Sequence, residues 1–310
     1  MEYFSFLSFS ISDLALLCIV VLYIWYKKST EAKYVNYKHK NVFITGGSSG
    51  IGRQLAIQFW ELGASVIITG RNEDALKQTK NQCWDPNRVQ FFVLDMGNPK
   101  FVQNWCINNR ENIGKIHILI HNAGLSMRDL FMNTEIELGE KLLNVDFLSV
   151  FAMTKELMPI MNTQGDGSVI CGIGSLGATS GGWIRTYYLG AKAAMDGFFK
   201  SLHSETRVNN IHCMIVHPGF VKTNLSINAL VGDGTRAFGK TDTSIQNGIK
   251  VRDWCNIIIQ GINSKKAEVW IWDSARLKAM MYLRKLFPFI ADRALHKKMK
   301  IQLKAIKNAT

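Results

Sequence analysis

The sequence predicts a doubly wound α/β domain built on a seven-stranded parallel sheet, and three observations lead to that expectation. Residues 41–275 alternate short apolar runs with longer amphipathic ones, the pattern of a parallel sheet covered by helices on both faces. A glycine-rich turn, Thr45-Gly46-Gly47-Ser48-Ser49-Gly50-Ile51-Gly52, stands between the first run and the first helical stretch. At 310 residues and 47% hydrophobic composition, the chain can bury one full core without requiring a second domain.

The first element in the chain lies outside that domain. Residues 3–26 carry one charge, Asp13, and residues 14–26 are apolar without interruption. A run of 24 residues, rising about 1.5 Å per residue, can span a hydrocarbon layer of about 30 Å. It has neither the basic start nor the small-residue cleavage site of a signal peptide, so residues 1–27 read as a retained transmembrane anchor. Trp25 and the tyrosines at both ends suit the membrane interface. Residues 28–40 form a basic linker. Lys27, Lys28, Lys33, Lys38 and Lys40 follow the run, whereas Glu2 and Asp13 lie on its other side or within it, so the positive-inside tendency places the catalytic domain in the cytosol. The expected location is the endoplasmic reticulum membrane.

Within the domain, candidate strands fall at residues 42–45, 66–69, 90–94, 117–121, 168–171, 212–216 and 268–272. The most prominent helical stretches are residues 51–62, 134–161 and 187–208. Seven such strands joined by six crossovers make a Rossmann-type sheet in a single domain, residues 41–275. Residues 224–250 are poorly patterned and read as an insertion.

The net charge of +13 is concentrated at the end of the chain. Residues 276–310 hold ten Lys or Arg against the single acid Asp292. No zinc finger, RNA-recognition signature or aromatic-basic platform accompanies these cations, so no nucleic-acid partner is expected. Met280, Met281, Leu283, Leu286, Phe287, Phe289 and Ile290 are interleaved with them, which suits an anionic lipid surface and marks a membrane-associating tail. The six cysteines include no Cys-x-x-Cys pair and read as free thiols. His203, His212 and His217 form no metal set with nearby carboxylates, and no metal is expected. His121 has no acid partner at suggestive spacing and reads as structural.

The glycine-rich turn carries the first chemical signal. Gly46, Gly50 and Gly52 let the chain turn sharply, let a pyrophosphate approach the backbone and let the helix pack on the strand. The helix that follows presents free N–H groups and its positive dipole end to the phosphates, with Ser48, Ser49 and Ile51 alongside. After the second strand the chain reads Thr69-Gly70-Arg71, where an acid would receive the ribose hydroxyls of NAD. Arg71 can instead form charge-assisted bonds to a 2′-phosphate, with Arg53 as possible help, so NADP(H) is the expected cofactor.

The second signal is Tyr188-Leu189-Gly190-Ala191-Lys192, with Ser175 thirteen positions before Tyr188. Residues four apart share a helix face, so the phenol and the ammonium can act on one atom. A free tyrosine loses its proton near pH 10, and a cation at close range favours the phenolate. Tyr188 can then donate a proton to a carbonyl oxygen while Ser175 hydrogen-bonds the same oxygen. Tyr187 stands five residues from Lys192 and falls off the shared face.

Together these residues resemble the short-chain dehydrogenase/reductase family. Thr45-Gly46-x-x-x-Gly50-x-Gly52, Asp95, Asn122-Ala123-Gly124, Ser175, Tyr188-x-x-x-Lys192 and Pro218-Gly219 occur in the family's order and spacing over about residues 40–275. The segments Asn122-Ala123-Gly124-Leu125-Ser126-Met127-Arg128, Gly197-Phe198-Phe199 and Glu268-Val269-Trp270-Ile271 look most like the membrane-anchored member-seven group. The 11β-hydroxysteroid dehydrogenase group is a more distant likeness.

The resemblance implies that Asp95, Asn122, Ala123, Gly124, Pro218, Gly219, Val221 and Thr223 join the glycine turn around the cofactor, and that Lys192 also holds the nicotinamide ribose. It implies a homodimer through residues 134–161 and 187–208, and a variable substrate loop at residues 224–250. The family's usual helix asparagine is replaced by Asp146, thirteen residues before Pro159. An aspartate there can hold the bound water of the catalytic tetrad, or pair with Lys192 and weaken its effect on Tyr188. The expected activity is NADP(H)-dependent hydride transfer to or from a lipophilic carbonyl or alcohol: a retinoid, steroid or long-chain ketone. A catalytically silent, cofactor-binding membrane scaffold is the alternative that Asp146 motivates.

Overall fold

The computed structural model describes residues 36–290 except 164, 166, 224 and 241–247, together with residues 16–21, 23, 292, 293 and 296. Its strands are β1 Asn41–Thr45, β2 Ser65–Gly70, β3 Val89–Val93, β4 Ile118–His121, β5 Ser168–Ile173, β6 Ile211–Pro218, β7 Leu230–Val231, β8 Arg236–Ala237 and β9 Glu268–Ile271. Seven of them form one sheet in the order β3-β2-β1-β4-β5-β6-β9, and all its pairings are parallel. β4 and β5 are buried along their whole length. That is why these strands read as continuous apolar runs rather than alternating ones.

The helices are α1 Gly50–Glu61, α2 Glu73–Asn81, α3 Pro99–Ile113, α4 Ile136–Leu143, α5 Ser149–Leu157, α6 Leu176–Ser180, α7 Thr186–Thr206, α8 Val251–Asn263 and α9 Ala275–Leu286. One core layer joins Leu55 and Phe59 of α1 and Trp254 and Ile258 of α8 to Val42 and Ile44 of β1. The opposite layer joins Val102 of α3, Met153 of α5 and Phe199 of α7 to Phe43, Leu119 and Ile170. Val42, Phe43 and Ile44 divide between the layers because successive strand residues point to opposite faces. Burying a large apolar side chain in either layer contributes roughly 1.5–3 kcal/mol.

Strand order positions the site. From β1 the chain moves outward to β2 and β3, then crosses back to place β4 on the other side of β1. The crossovers on the two sides of β1 leave in opposite directions, which opens a crevice above the carboxyl ends of the strands.

The helix expected over residues 134–161 is not one uniform α-helix. α4 passes into a π-turn at Asn144–Leu148 before α5 begins, and a short 3-10 turn follows at Met158–Ile160. The widened turn carries Asp146, which is completely buried. Residues 224–250 include the antiparallel β7–β8 hairpin. The first part of the expected tail forms α9, capped by Ser274, whose hydroxyl accepts from the Leu277 N–H at 3.2 Å.

Most of the expected anchor lies outside the described residues. Residues 16–21 and 23 are helical and exposed. Among the described residues no helix is long and apolar enough to cross a membrane.

Candidate active site

The glycine turn leaves β1 and enters α1 under tight steric limits. A Cβ on Gly52 would lie 2.2 Å from the Gly46 carbonyl oxygen, so no larger residue fits where α1 crosses the turn. Gly52 therefore packs behind the turn and does not line the crevice, unlike its neighbours. Thr45 and Asn122 fasten the turn to the end of β4. The Thr45 hydroxyl accepts from the Asn122 and Ala123 N–H groups at 3.0 Å each. The Asn122 side-chain amide in turn donates to the Thr45 and Gly46 carbonyls at 2.9 and 3.1 Å.

A cavity of about 1550 Å³ opens above this junction. Gly46, Ser48, Ser49, Gly50, Ile51, Arg71, Asp95, Asn122, Ala123 and Gly124 line one part of it. Asp146, Ser175, Tyr188, Lys192, Pro218, Gly219, Val221 and Thr223 line the rest of the same cavity. Of the cofactor and catalytic residues singled out from the sequence, only Gly52 and Arg53 are absent from this lining. The volume exceeds the ordinary range of roughly 300–1,000 Å³ for a single small-molecule pocket, so a dinucleotide and a second ligand can be accommodated together.

Arg53 does not face the cavity as a possible partner for a 2′-phosphate. Its guanidinium donates to the Thr79 hydroxyl at 3.1 Å and to the Ser48 and Ala75 carbonyls, bracing the turn from behind. Arg71 is exposed at the cavity margin, and its side chain has no hydrogen-bond or ion-pair partner among the described residues. Asn72 is occupied as the cap of α2, accepting from the Ala75 N–H at 2.9 Å.

α7 places Tyr188 and Lys192 one turn apart at the inner end of the crevice, both buried. The Lys192 ammonium donates to the Ile173 carbonyl at 3.0 Å and pairs with Asp146 Oδ1 at 3.1 Å. Asp146 also accepts from the Leu125 N–H, at 3.2 Å on Oδ1. A Cβ on Gly124 would lie 2.5 Å from Asp146 Oδ1 and 3.4 Å from Lys192 Nζ, so a glycine is required for the ion pair to sit against this strand end. Burial pushes the Asp146 carboxyl up, against the pull of Lys192 and the Leu125 N–H. Burial disfavours the Lys192 cation, but the Asp146 carboxylate and Tyr188 outweigh it and hold the ammonium above its ordinary range. Asp146 is therefore paired directly with Lys192.

Ser175 leads into α6 and accepts from the Gly177 N–H at 3.2 Å. Tyr187 turns away and packs edge-on to Phe131, with ring centroids 5.7 Å apart. His121 is buried, with its Nε2 2.8 Å from the Thr154 hydroxyl and its ring edge-on to Phe199. Among the described residues no group of three His, Cys, Asp or Glu side chains is placed to hold a metal ion.

The wall that sequence reasoning missed is α9. Leu277, Met281 and Arg284 are half-buried and line the cavity together with Met280. Their i, i+4, i+7 spacing was a signal of one inward stripe, but the cations between them pointed to lipid. Trp183, Ile184 and Phe220 add apolar surface to the same cavity.

A parallel doubly wound sheet with a glycine turn, an Asn-Ala-Gly strand end and a Ser/Tyr/Lys set around one cavity defines a class of nucleotide-dependent oxidoreductases. The short chain dehydrogenase family model matches residues 40–231, and the chain belongs to that family. Within it, the chain falls with the member-seven group. It is 29% identical to rat dehydrogenase/reductase SDR family member 7B over 254 residues, covering 80% of this chain and 77% of the relative. It is 30% identical to the Drosophila melanogaster dehydrogenase/reductase SDR family protein 7-like over 275 residues, covering 87% and 83%. The fold is shared with a short chain dehydrogenase/reductase from Burkholderia phymatum solved in complex with NAD, at a TM-score of 0.70 and 20% identity, covering 86% of this chain and 96% of that one.

Proposed function

We propose that this oxidoreductase uses NADP(H) to interconvert a lipophilic carbonyl and its alcohol at a membrane. The observation that carries the reading is the convergence of the glycine turn, Ser175, Tyr188 and Lys192 on one cavity. Gly46, Ser48, Ser49, Gly50 and Ile51 would receive the pyrophosphate on backbone N–H groups, with Gly52 keeping α1 close behind them. Arg71, free of other partners among the described residues, would bind a 2′-phosphate. Asp95, Asn122, Ala123, Gly124, Pro218, Gly219, Val221 and Thr223 would enclose the remainder of the cofactor. Bound nicotinamide supplies or accepts the hydride.

Tyr188 would hold the proton given to the substrate oxygen during reduction, and Ser175 would hydrogen-bond that oxygen as charge develops. Lys192, kept cationic by Asp146 and fixed by the Ile173 carbonyl, would orient the ribose and stabilise the phenolate side of the proton transfer. The apolar wall of Trp183, Ile184, Phe220, Leu277 and Met281 supports a retinoid, steroid or long-chain ketone over a sugar. The run of residues 3–26 supports anchoring in the endoplasmic reticulum membrane, and the cations of residues 276–310 support contact with anionic lipid. Exposed Leu143, Leu148 and Phe151 along α4 and α5 support a homodimer through that face.

The test is NADPH oxidation with retinal, a steroid ketone and a long-chain methyl ketone. Turnover of at least one is expected, and equal rates for wild type and Tyr188→Phe would sink the mechanism. A silent scaffold is the second reading, favoured by the engagement of Lys192 with Asp146. In that case NADPH would bind, wild type would fail on the whole panel, and Asp146→Asn, which releases Lys192, would gain turnover.

A further inference from the structure

A second charged cluster lies beside the cavity, next to the Pro218-Gly219 turn that lines it. His217 is at the carboxyl end of β6, has no exposed surface, and immediately precedes the Pro218-Gly219 turn. Its Nε2 lies 3.4 Å from Asp196 Oδ1 on α7 and 3.5 Å from Glu268 Oε2 on the edge strand β9. Lys200, one turn beyond Asp196, pairs with Asp196 at 2.8 Å and reaches Glu268 at 3.8 Å. Trp270 of β9 is stacked on the His217 ring, with centroids 4.1 Å apart and 26° between planes.

Every polar group that the ring meets directly is therefore an acceptor. A neutral imidazole has one N–H and can satisfy only one side, whereas the imidazolium has two. Neither nitrogen closes a hydrogen bond of full geometry in the structure, so the contacts stand ready but unmade. Apart from the ring, the cluster carries two carboxylates and one ammonium, and proton uptake by His217 would bring its formal charge to zero. A stacked imidazolium would also gain cation–π attraction to Trp270.

We infer that His217 is a positioning residue for α7, tying Asp196 on the helix that carries Tyr188 and Lys192 to Glu268 on the sheet edge. The inference rests on the oxidoreductase reading for its consequence but not for its contacts. Burial pulls the His217 imidazole below its ordinary range, while Asp196 and Glu268 pull it up and Lys200 pulls it down. The ties would accordingly tighten as pH falls below about 6.5, the ordinary histidine value.

The contacts can be read without turnover. Imidazolium stacked on Trp270 should quench its emission, so full-length protein is expected to lose tryptophan fluorescence through an inflection below about pH 6.5. That inflection should vanish in His217→Gln and in Trp270→Phe, and should move to lower pH in Glu268→Gln. Absence of a His217-dependent inflection, or one that Glu268→Gln leaves in place, would overturn the cluster whether or not the protein turns over substrate. The positioning role is read separately, from kcat against pH with the most active carbonyl of the panel. Wild type should share the inflection, and His217→Gln should lose it together with roughly threefold to tenfold in kcat, a cost typical of one orienting hydrogen bond, with NADPH binding unchanged. A kcat profile identical in wild type and His217→Gln would overturn the role while leaving the oxidoreductase reading intact. Failure of wild type on every carbonyl would instead remove that reading and leave the fluorescence result standing.

Discussion

The two halves of the cavity are built to different tolerances. The nucleotide half is made of buried strand ends that hold one another: Thr45 against Asn122, Gly124 against the Asp146–Lys192 pair, and Gly52 against the Gly46 carbonyl. The substrate half is walled by the segment around the β7–β8 hairpin and by α9, a helix with no buried residue. Close packing transmits small displacements to neighbouring side chains, whereas a lightly held wall can move without disturbing the sheet. On the proposed reading, a shared chemistry sits on the rigid half, and discrimination between substrates on the half free to vary.

Breaking the rigid half should give the largest effects. Tyr188→Phe is expected to lower kcat roughly 10²–10⁴-fold, the usual contribution of general acid–base catalysis, with NADPH binding retained by fluorescence titration. Next comes Arg71→Asp, which replaces a cation with an acid at the proposed 2′-phosphate position. It should weaken NADPH roughly 10- to 100-fold, the worth of a charged hydrogen bond, and leave NADH little changed in a direct binding comparison.

Acid should loosen the same half through His121. Burial holds its imidazole at about 3 in the folded protein, against about 6.5 when unfolded. The folded pKa is depressed, so the contribution is complete above about 6.5 and is lost progressively as pH falls toward the folded value. Near pH 5 the loss is about 2 kcal/mol, measurable as a lower urea midpoint. His121→Asn should flatten that dependence even if it lowers stability overall.

The smallest effects belong to the substrate half. Met281→Ala or Leu277→Ala should raise KM for a lipophilic carbonyl about fourfold for each methylene group removed from the wall. Neither should change NADPH affinity or the melting temperature. An equal loss of cofactor binding would show that α9 braces the nucleotide half as well, and would erase the contrast between the two.

The nucleotide half was legible because its requirements are local. A glycine-rich turn between strand and helix, an Asn-Ala-Gly strand end, and a tyrosine and lysine one turn apart each declare themselves within a few residues. The seven strands were legible for a related reason, since burial on both faces leaves continuous apolar runs. Arg53 misled because its proximity to the turn in sequence suggested a view of the ligand. Packing instead directs its guanidinium into the Ser48 and Ala75 carbonyls. α9 misled because composition reports what a segment is made of and not which of its faces meets the protein.

The sequence by itself determined the parallel sheet, the family and the motif residues that meet in the cavity, because periodicity and short motifs encode them within a turn or a strand. Only the tertiary structure decided that Asp146 would close directly on Lys192 through a π-turn, that α9 would line the cavity, and that His217 would face two carboxylates. These contacts join residues from separate elements far apart in the chain. Their partners are chosen by how those elements pack and by which polar groups are left without water, and no local pattern records that choice.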